Sequence, residues 1–286
     1  MGYAGYYDNV GDMVNQGLEM ELSADLIANR NFRWNVGLNL TWEKNRVTYI
    51  PEETASSDIE GHHGYIDGSN FVGEGLPMYT WYIKRFAGVG ENGEALYYKK
   101  DSEGNISTTE YYDEASYFIG ETALPKVFGG FTTSFNIFDF DINAQFNYSI
   151  GGKKADYGYM YLMTAPITGS TGAGLHRDVF DSWTPDNPDS SQPMWYFDDS
   201  YSGSFTDRWL VDGSYLTFKS LSVGYTLPKK IAKNLRLSKF RVYGACENVA
   251  YWTKRKGFDP RGSFSSGSYG EYSPMRTISG GIQVEF

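Results

Sequence analysis

Histidine and carboxylate side chains come close together at one point of this sequence. His62 and His63 are adjacent, and Glu60 lies two residues before the pair. Two histidines that bind zinc from a single helix stand four residues apart, with the glutamate that acts as general base between them. This spacing is absent here, so the pair predicts a solvated loop and no metal site.

Two further stretches have part of the pattern of a known ligand loop. Residues 169–178 are rich in glycine, but no Gly-Lys-Ser or Gly-Lys-Thr follows, so a phosphate-binding loop is not predicted. Residues 101–105 have the acidic start of an EF-hand, yet the glycine is Gly104, and Ile106 stands where the EF-hand requires one. A plain turn is the better interpretation of this stretch.

Acidic residues in the second half of the chain are the remaining candidates for chemistry. Aspartates can ligate Ca²⁺ once a chain is folded, but loop acids are usually only solvated. The residues concerned are Asp186, Asp189, Asp198, Asp199 and Asp207. No combination of serine, histidine and acid, and no pair of acids, stands out. We therefore predict no catalytic residue, no metal site, no cofactor and no enzymatic activity.

Aromatic side chains are concentrated in one long segment, residues 151–212. Aromatic rings stack on the C–H faces of sugars, and Asp and Asn accept hydrogen bonds from hydroxyl groups; a peptide ligand would use similar residues. The candidate ligand-binding residues are Tyr157, Tyr159, Trp183, Trp195, Tyr196 and Tyr201. The alternative is that these rings pack on one another or on a partner protein.

The composition narrows the class of protein. Of 286 residues, 41% are hydrophobic and 17% are aromatic, and the formal net charge is −10. An acidic chain without a basic stripe argues against a nucleic-acid partner. No run approaches the length of about 18 apolar residues that indicates a membrane helix. The single Cys246 excludes an intrachain disulfide.

Alternation of apolar and polar residues, which is typical of strands, recurs along the whole chain. The closing segment, residues 277–286, alternates to its last residue, Phe286. The predicted strands lie near residues 18–26, 32–42, 78–88, 94–98, 126–135, 138–148, 214–227, 240–249 and 277–286. This makes about nine strands, with no convincing long helix.

One predicted strand contains a change of register. In residues 214–228 the apolar positions change parity between Phe218 and Leu221. A slip of one residue turns every later side chain to the opposite face of a sheet. We therefore predict a β-bulge near Lys219 and Ser220.

Strand and loop lengths distinguish a membrane barrel from a soluble sheet. Soluble strands most often have about 5–6 residues, whereas a tilted strand needs about 9–11 to cross a bilayer, and most of the predicted strands match the longer length. Short turns also alternate with long loops, which is the outer-membrane pattern. We therefore predict an all-β fold, an antiparallel up-and-down transmembrane β-barrel with long extracellular loops. A soluble β-sandwich or a carbohydrate-binding jelly roll is the alternative, since both also alternate.

Several segments resemble a known family in the same order along the chain. "GSYLTFKSLSVGYTLP" (213–228), "FRVYGACENVAYWTKRKGFDP" (240–260) and "RTISGGIQVEF" (276–286) resemble the C-terminal end of the SusC/RagA family of TonB-linked outer-membrane transporters. Upstream, "NQGLEMELSADLI", "EGLPMYTWYIKRFAGV" and "LPKVFGGFTTSFNIFDFDINAQF" resemble the same family. The resemblance covers nearly the whole chain.

This resemblance implies a barrel of about 22 strands with a plugged lumen, in the outer membrane of a Gram-negative bacterium. It implies import of oligosaccharides or peptides, driven by the TonB complex, with a SusD-like surface lipoprotein as a lid. Residues 1–286 are then expected to form the C-terminal part of the barrel, without plug domain, TonB box or signal peptide. A secreted soluble glycan-binding module is the second function considered, and an outer-membrane hydrolase is the third.

The two faces of the predicted sheet have different expected surroundings. The apolar face is expected to contact the lipid bilayer, and the polar face to line the lumen. The predicted lumen-facing residues are Glu19, Glu21, Arg33, Asn39, Asp141, Asn143, Gln145, Arg241 and Glu247. The strands near residues 18–26 and 277–286 are expected to be the free edges of an incomplete barrel wall.

Overall fold

The computed structural model describes residues 9, 11–167, 174–199, 201–262 and 272–286, so residues 169–173 of the glycine-rich segment lie outside the described residues. The strands are β1 (Asp12–Ala28), β2 (Phe32–Tyr49), β3 (Ser57–Ile59), β4 (His62–Asp67), β5 (Asn70–Gly73), β6 (Thr80–Lys84), β7 (Phe86–Val89), β8 (Ala95–Lys100), β9 (Ile106–Thr109), β10 (Tyr117–Thr122), β11 (Val127–Ile137), β12 (Phe140–Ile150), β13 (Lys153–Ala155), β14 (Leu210–Asp212), β15 (Tyr215–Thr226), β16 (Lys239–Thr253) and β17 (Thr277–Glu285). The α-helices are α1 (Tyr157–Met163) and α2 (Lys229–Asn234), and the 3-10 helices are Tyr112–Glu114, Arg177–Asp181 and Asp207–Trp209.

Seven long strands form one antiparallel sheet, which we call the wall. Its strand order is β1-β2-β11-β12-β15-β16-β17. These strands have 9 to 18 residues, and about 9–11 suffice to cross a bilayer. Within the described residues β1 and β17 are the two edges of the wall. The predicted all-β, antiparallel up-and-down architecture is confirmed.

The connections between wall strands differ at the two ends of the sheet. Residues 29–31, 138–139 and 227–238 join neighbouring strands at one end, where the last residues of β17 also lie. Residues 50–126, 151–214 and 254–276 connect strands at the other end. Short turns at one end and long loops at the other are typical of outer-membrane barrels, as the sequence predicted.

Two of the nine predicted strands do not belong to the wall. Residues 78–88 form β6, in a five-stranded sheet with β10, β5, β4 and β3, and β7, in a three-stranded sheet with β8 and β9. Residues 94–98 fall largely in β8 of that second sheet. Alternation reports that a strand is half-buried, but it does not specify which sheet buries it. The wall therefore has seven strands in the described residues, and β6 to β8 lie in the long loops.

Two smaller expectations concern the loops. His62 and His63 begin strand β4 instead of lying in a solvated loop, and His62 Nδ1 is 2.7 Å from the carbonyl oxygen of Glu74. Residues 101–105 form the turn between β8 and β9, where the Asp101 carboxylate accepts the backbone N–H groups of Glu103 and Asn105. The turn interpretation of this acidic stretch is confirmed.

The predicted bulge in β15 is present. Gln145 is opposite Ser220, and the next residue, Phe146, is opposite Phe218, so Lys219 is the extra residue. The ladder between β15 and β16 shifts at the same place. The bulge keeps the apolar residues on one face on both sides of Lys219.

The apolar face of the wall is uncovered by other described elements. The rings of Phe131, Phe146 and Phe218 stack across three neighbouring strands with centroid distances of 4.4 Å. At the edges Leu18 is 62% exposed and Ile278 is 79% exposed. A large exposed apolar surface of this kind needs a lipid or protein partner.

Most of the buried hydrophobic residues lie in the long loops, which pack into what we call the loop layer (the described residues of 50–126, 151–214 and 254–262). Trp81, Ile83, Ala123 and Ala155 form one buried cluster, against which Phe205 packs. The Trp81 indole N–H donates to the carbonyl of Lys153 at 2.8 Å, and this hydrogen bond ties the first loop to the second. The loop layer is therefore a packed structure.

Buried charge ties the third loop to the second. The Lys154 ammonium donates to the carbonyl oxygen of Pro260 at 2.6 Å. The Arg255 guanidinium lies 3.6 Å from the centre of the Tyr159 ring and pairs with Asp156 at 3.4 Å. Burial lowers the pKa of Lys154 from 10.5 to about 8, because desolvation penalises the charged form.

The first prediction concerns the two faces of β2. In the complete protein, Leu38→Arg should destabilise the barrel by about 2–4 kcal/mol, because it places a charge on the lipid face. The matched variant Asn39→Arg, one residue on and on the polar face, should be tolerated. Thermal unfolding in detergent measures the difference.

Fluorophores attached at the same two positions distinguish a barrel from a soluble sheet. A lipid-borne quencher should quench the label at position 38 and leave the label at position 39 bright. Quenching at position 39 would reverse the assigned orientation of the sheet.

The second prediction concerns Lys154. Between pH 8 and 10.5, the folded and unfolded pKa values, the unfolded chain binds more protons at Lys154 than the folded chain does. The free energy of unfolding should therefore rise with pH across this window, since the burial penalty disappears as the ammonium deprotonates. Lys154→Met should lack this gain, whereas Lys153→Met, at the neighbouring half-buried position, should keep it. Unfolding midpoints that change identically with pH in all three proteins would contradict the assignment.

Candidate functional site

The polar face of the wall carries all nine predicted lumen-facing residues. Glu21 is opposite Asn39 across β1 and β2, and Gln145, Ser220 and Glu247 lie in one row across β12, β15 and β16. The same alternation places Glu19, Arg33, Asp141, Asn143 and Arg241 on this face. Their position at the lumen of a closed barrel stays a prediction.

An ion pair crosses the polar face near the short turns. The Arg241 guanidinium on β16 makes two hydrogen bonds, of 3.1 and 2.6 Å, to the Asp141 carboxylate on β12. The pair passes over β15 at Gly224, where a Cβ atom would collide with both side chains. Glycine at this position therefore allows a bidentate contact across three strands.

Four of the six aromatic ligand candidates are held inside the loop layer. Tyr157 packs on Phe205 at 5.1 Å, and the Tyr159 hydroxyl donates to Asp178 at 2.9 Å. Trp183 and Trp195 are half-buried, with indole nitrogens out of contact with solvent. Tyr157 and Tyr159 thus pack on other loop residues, and a ligand-binding role for these four rings stays a prediction.

The other two candidates, Tyr196 and Tyr201, line a cavity of about 450 Å³ at the surface of the loop layer. It lies where the first and second loops meet, and the backbone N–H of Met194 donates to the carbonyl of Gly93 at 2.7 Å across this junction. We call this cavity the tyrosine groove. Its side chains include Glu94, Tyr97, Glu110, Tyr111, Met194, Tyr196, Asp199 and Tyr201.

The phenols of the tyrosine groove stay protonated at neutral pH. Burial raises the pKa of Tyr97 to about 12 and raises that of Tyr196. The Asp113 carboxylate, which accepts the Tyr201 hydroxyl at 3.2 Å, raises the pKa of Tyr201, and a hydrogen bond to Glu110 raises that of Tyr111. The groove therefore presents neutral phenols beside carboxylates, and those of Tyr201 and Tyr111 already donate to Asp113 and Glu110.

Sequence reasoning missed the part of the groove that comes from the first loop. Tyr97, Tyr111, Glu94 and Glu110 lie in or beside the small sheet of β7, β8 and β9. In this part of the first loop, the alternation of apolar and polar residues predicted only a strand near residues 94–98. No local signal in either loop indicates that they pack against residues about a hundred positions later.

The acidic residues considered for Ca²⁺ do not come together. Asp207 caps the start of β7, since its carboxylate accepts the Phe86 backbone N–H at 2.8 Å, and Asp199 lies in the tyrosine groove. In the part of the chain that the structure describes, no group of three His, Cys, Asp or Glu side chains is arranged to hold a metal ion. Neither described α-helix has the length and apolarity to span a membrane.

Comparison with known proteins gives relatives that are named receptors and transporters. A TonB-dependent receptor P3 of Formosa agariphila is 25% identical, over 100% of this chain and 30% of the relative. The TonB-dependent receptor SusC of Bacteroides thetaiotaomicron is 21% identical, over 88% of this chain and 24% of that protein. The chain thus spans less than a third of the length of these relatives. No family model matches the chain.

Solved structures share the fold. The RagAB peptide importer in its closed-closed state has a TM-score of 0.81 and 23% identity, over 98% of this chain and 30% of that one. Its open-open state has a TM-score of 0.78 and 22% identity. These structures confirm the predicted barrel fold. The curated relatives confirm the predicted resemblance and the outer-membrane location. Over its whole length the chain is similar to the TonB-dependent receptor P3, over 88% of its length it is similar to SusC, and it shares the fold of part of the RagAB peptide transporter.

Proposed function

We propose that this chain forms part of the wall and of the extracellular loops of a TonB-dependent importer, which takes up oligosaccharides or peptides together with a SusD-like surface lipoprotein. One observation carries the proposal: an open sheet of seven membrane-length antiparallel strands leaves one apolar face uncovered. Such a face suits lipid, and such an open sheet requires further strands, because unpaired backbone groups are costly in hydrocarbon. The likeness to receptors and transporters supports the same function.

In this proposal the polar face of the wall lines the passage for cargo. The bidentate pair between Arg241 and Asp141 fixes β12 and β16 relative to each other at the end of the sheet with the short turns. Energy from the TonB complex would enter through the part of the protein that contains a plug. The residues described here would bind and guide cargo without supplying that energy.

The loop layer supplies the outer binding surface in this proposal. Its packed core holds the first and second loops together, so the tyrosine groove between them is pre-formed. A pre-formed cavity lined by aromatic rings and a few polar groups is the usual form of a small-ligand site. Tyr196 and Tyr201 are therefore the proposed cargo-binding residues among the six sequence candidates.

The third prediction tests transport in cells. A strain that lacks the protein should fail to take up the cargo that the wild-type strain removes from a mixture of labelled peptides and oligosaccharides. A strain that lacks TonB should have the same defect, because the importer depends on that energy source. A strain that lacks the paired lipoprotein should also show reduced uptake.

Two results would contradict the proposed function. Uptake that persists without TonB would exclude the active-transport mechanism. Recovery of the complete protein in the aqueous phase, after detergent phase separation, would favour the secreted glycan-binding module instead.

A further inference from the structure

We propose that the tyrosine groove binds a positively charged side chain, lysine or arginine, of a peptide. This inference deepens the proposed import function and rests on it for its biological role. The groove has a volume of about 450 Å³, which is within the range of about 300–1,000 Å³ typical of ligand sites. This volume admits one long side chain with its adjoining backbone.

Charge is the first argument. Three carboxylates, those of Glu94, Glu110 and Asp199, line the groove, and none of its described lining residues is a lysine or an arginine. Two of these acids are only partly used by the protein. Glu94 accepts the backbone N–H of Asn92 at 3.0 Å, and Asp199 accepts that of Tyr201 at 2.9 Å. Each carboxylate has further acceptor sites beyond these hydrogen bonds.

Nearby basic residues neutralise only part of this charge. Lys99 pairs with Glu114, and Lys100 pairs with Glu60, each at 2.6 Å. The Arg208 guanidinium lies over the rings of Phe86 and Trp209, donates to Gln192 and interacts electrostatically with Asp199, so it offsets part of one of the three charges. The groove therefore keeps a negative potential, which attracts a cation and repels an acidic ligand.

The rings are the second argument. Tyr97, Tyr111, Tyr196 and Tyr201 surround the cavity, and Met194 adds a flexible apolar contact. Tyrosine faces attract ammonium and guanidinium groups, and the methylene stem of lysine or arginine packs on apolar surface. A neutral sugar can stack on the same rings, but it gains nothing from the three charges. Charge is therefore the property that distinguishes the two cargo classes at this site.

Binding to the complete protein, purified in detergent, tests the inference separately from transport. The probe is a capped pentapeptide with one central lysine between glycines, and its matched control has an Nε-acetylated lysine. By titration calorimetry the lysine peptide should bind at least about tenfold more tightly than the acetylated one, since acetylation removes the charge. Raising the salt concentration should weaken only the lysine peptide.

Variants assign this binding to the groove. Glu110→Gln combined with Asp199→Asn should weaken binding of the lysine peptide by about tenfold, while the amide at position 199 can still accept the Tyr201 N–H. Asp186→Asn, at an exposed position of the same loop and outside the groove, should leave binding unchanged. Near-ultraviolet circular dichroism of each variant checks that the loop layer remains folded.

Three outcomes overturn the inference: equal binding of the two peptides, binding unaffected by the double substitution, or binding of neutral maltotetraose in the absence of peptide binding. None of them bears on the TonB dependence of uptake. Conversely, uptake that does not depend on TonB would remove the import function and leave the measured peptide binding intact.

Discussion

The backbone hydrogen bonds of the wall are the constraint on which the rest of the structure depends. In hydrocarbon no water is present to satisfy an N–H or a carbonyl group, so every membrane strand must pair on both sides. Five of the seven wall strands do so within the described residues, and β1 and β17 each have one partner. The ladder therefore fixes the register of the polar and apolar faces, and in the proposed function its two edges pair with further strands.

The position of the buried residues follows from this constraint. A wall with lipid on one side and a lumen on the other has no interior of its own, and its exposed apolar residues reflect this. Burial is concentrated where three loops fold over one another beyond the strand ends, around Trp81, Ile83 and Ala155. A rigid loop layer on a barrel wall is the arrangement that can hold a binding groove in a fixed shape.

Much of the wall could be predicted from the sequence, because apolar and polar residues that alternate with a period of two show which side chains share one face of a sheet. The change of parity between Phe218 and Leu221 even located the bulge at Lys219. The loops were harder, since β6 and β8 alternate as wall strands do although other loop residues bury them. The tyrosine groove could not be predicted, because it requires Tyr97 and Tyr201 to meet through long-range packing.

Cross-linking of the wall edges tests the central claim, that this chain is an open part of a larger barrel. In a Cys246→Ser background of the complete protein, Val242→Cys with Ile282→Cys should form a disulfide, because the two positions are opposite each other on β16 and β17. Met20→Cys with Ile282→Cys should form none, because in this account further strands of the barrel lie between β1 and β17. Efficient cross-linking of positions 20 and 282 would show that the two edges pair into a small closed barrel, and would contradict the account.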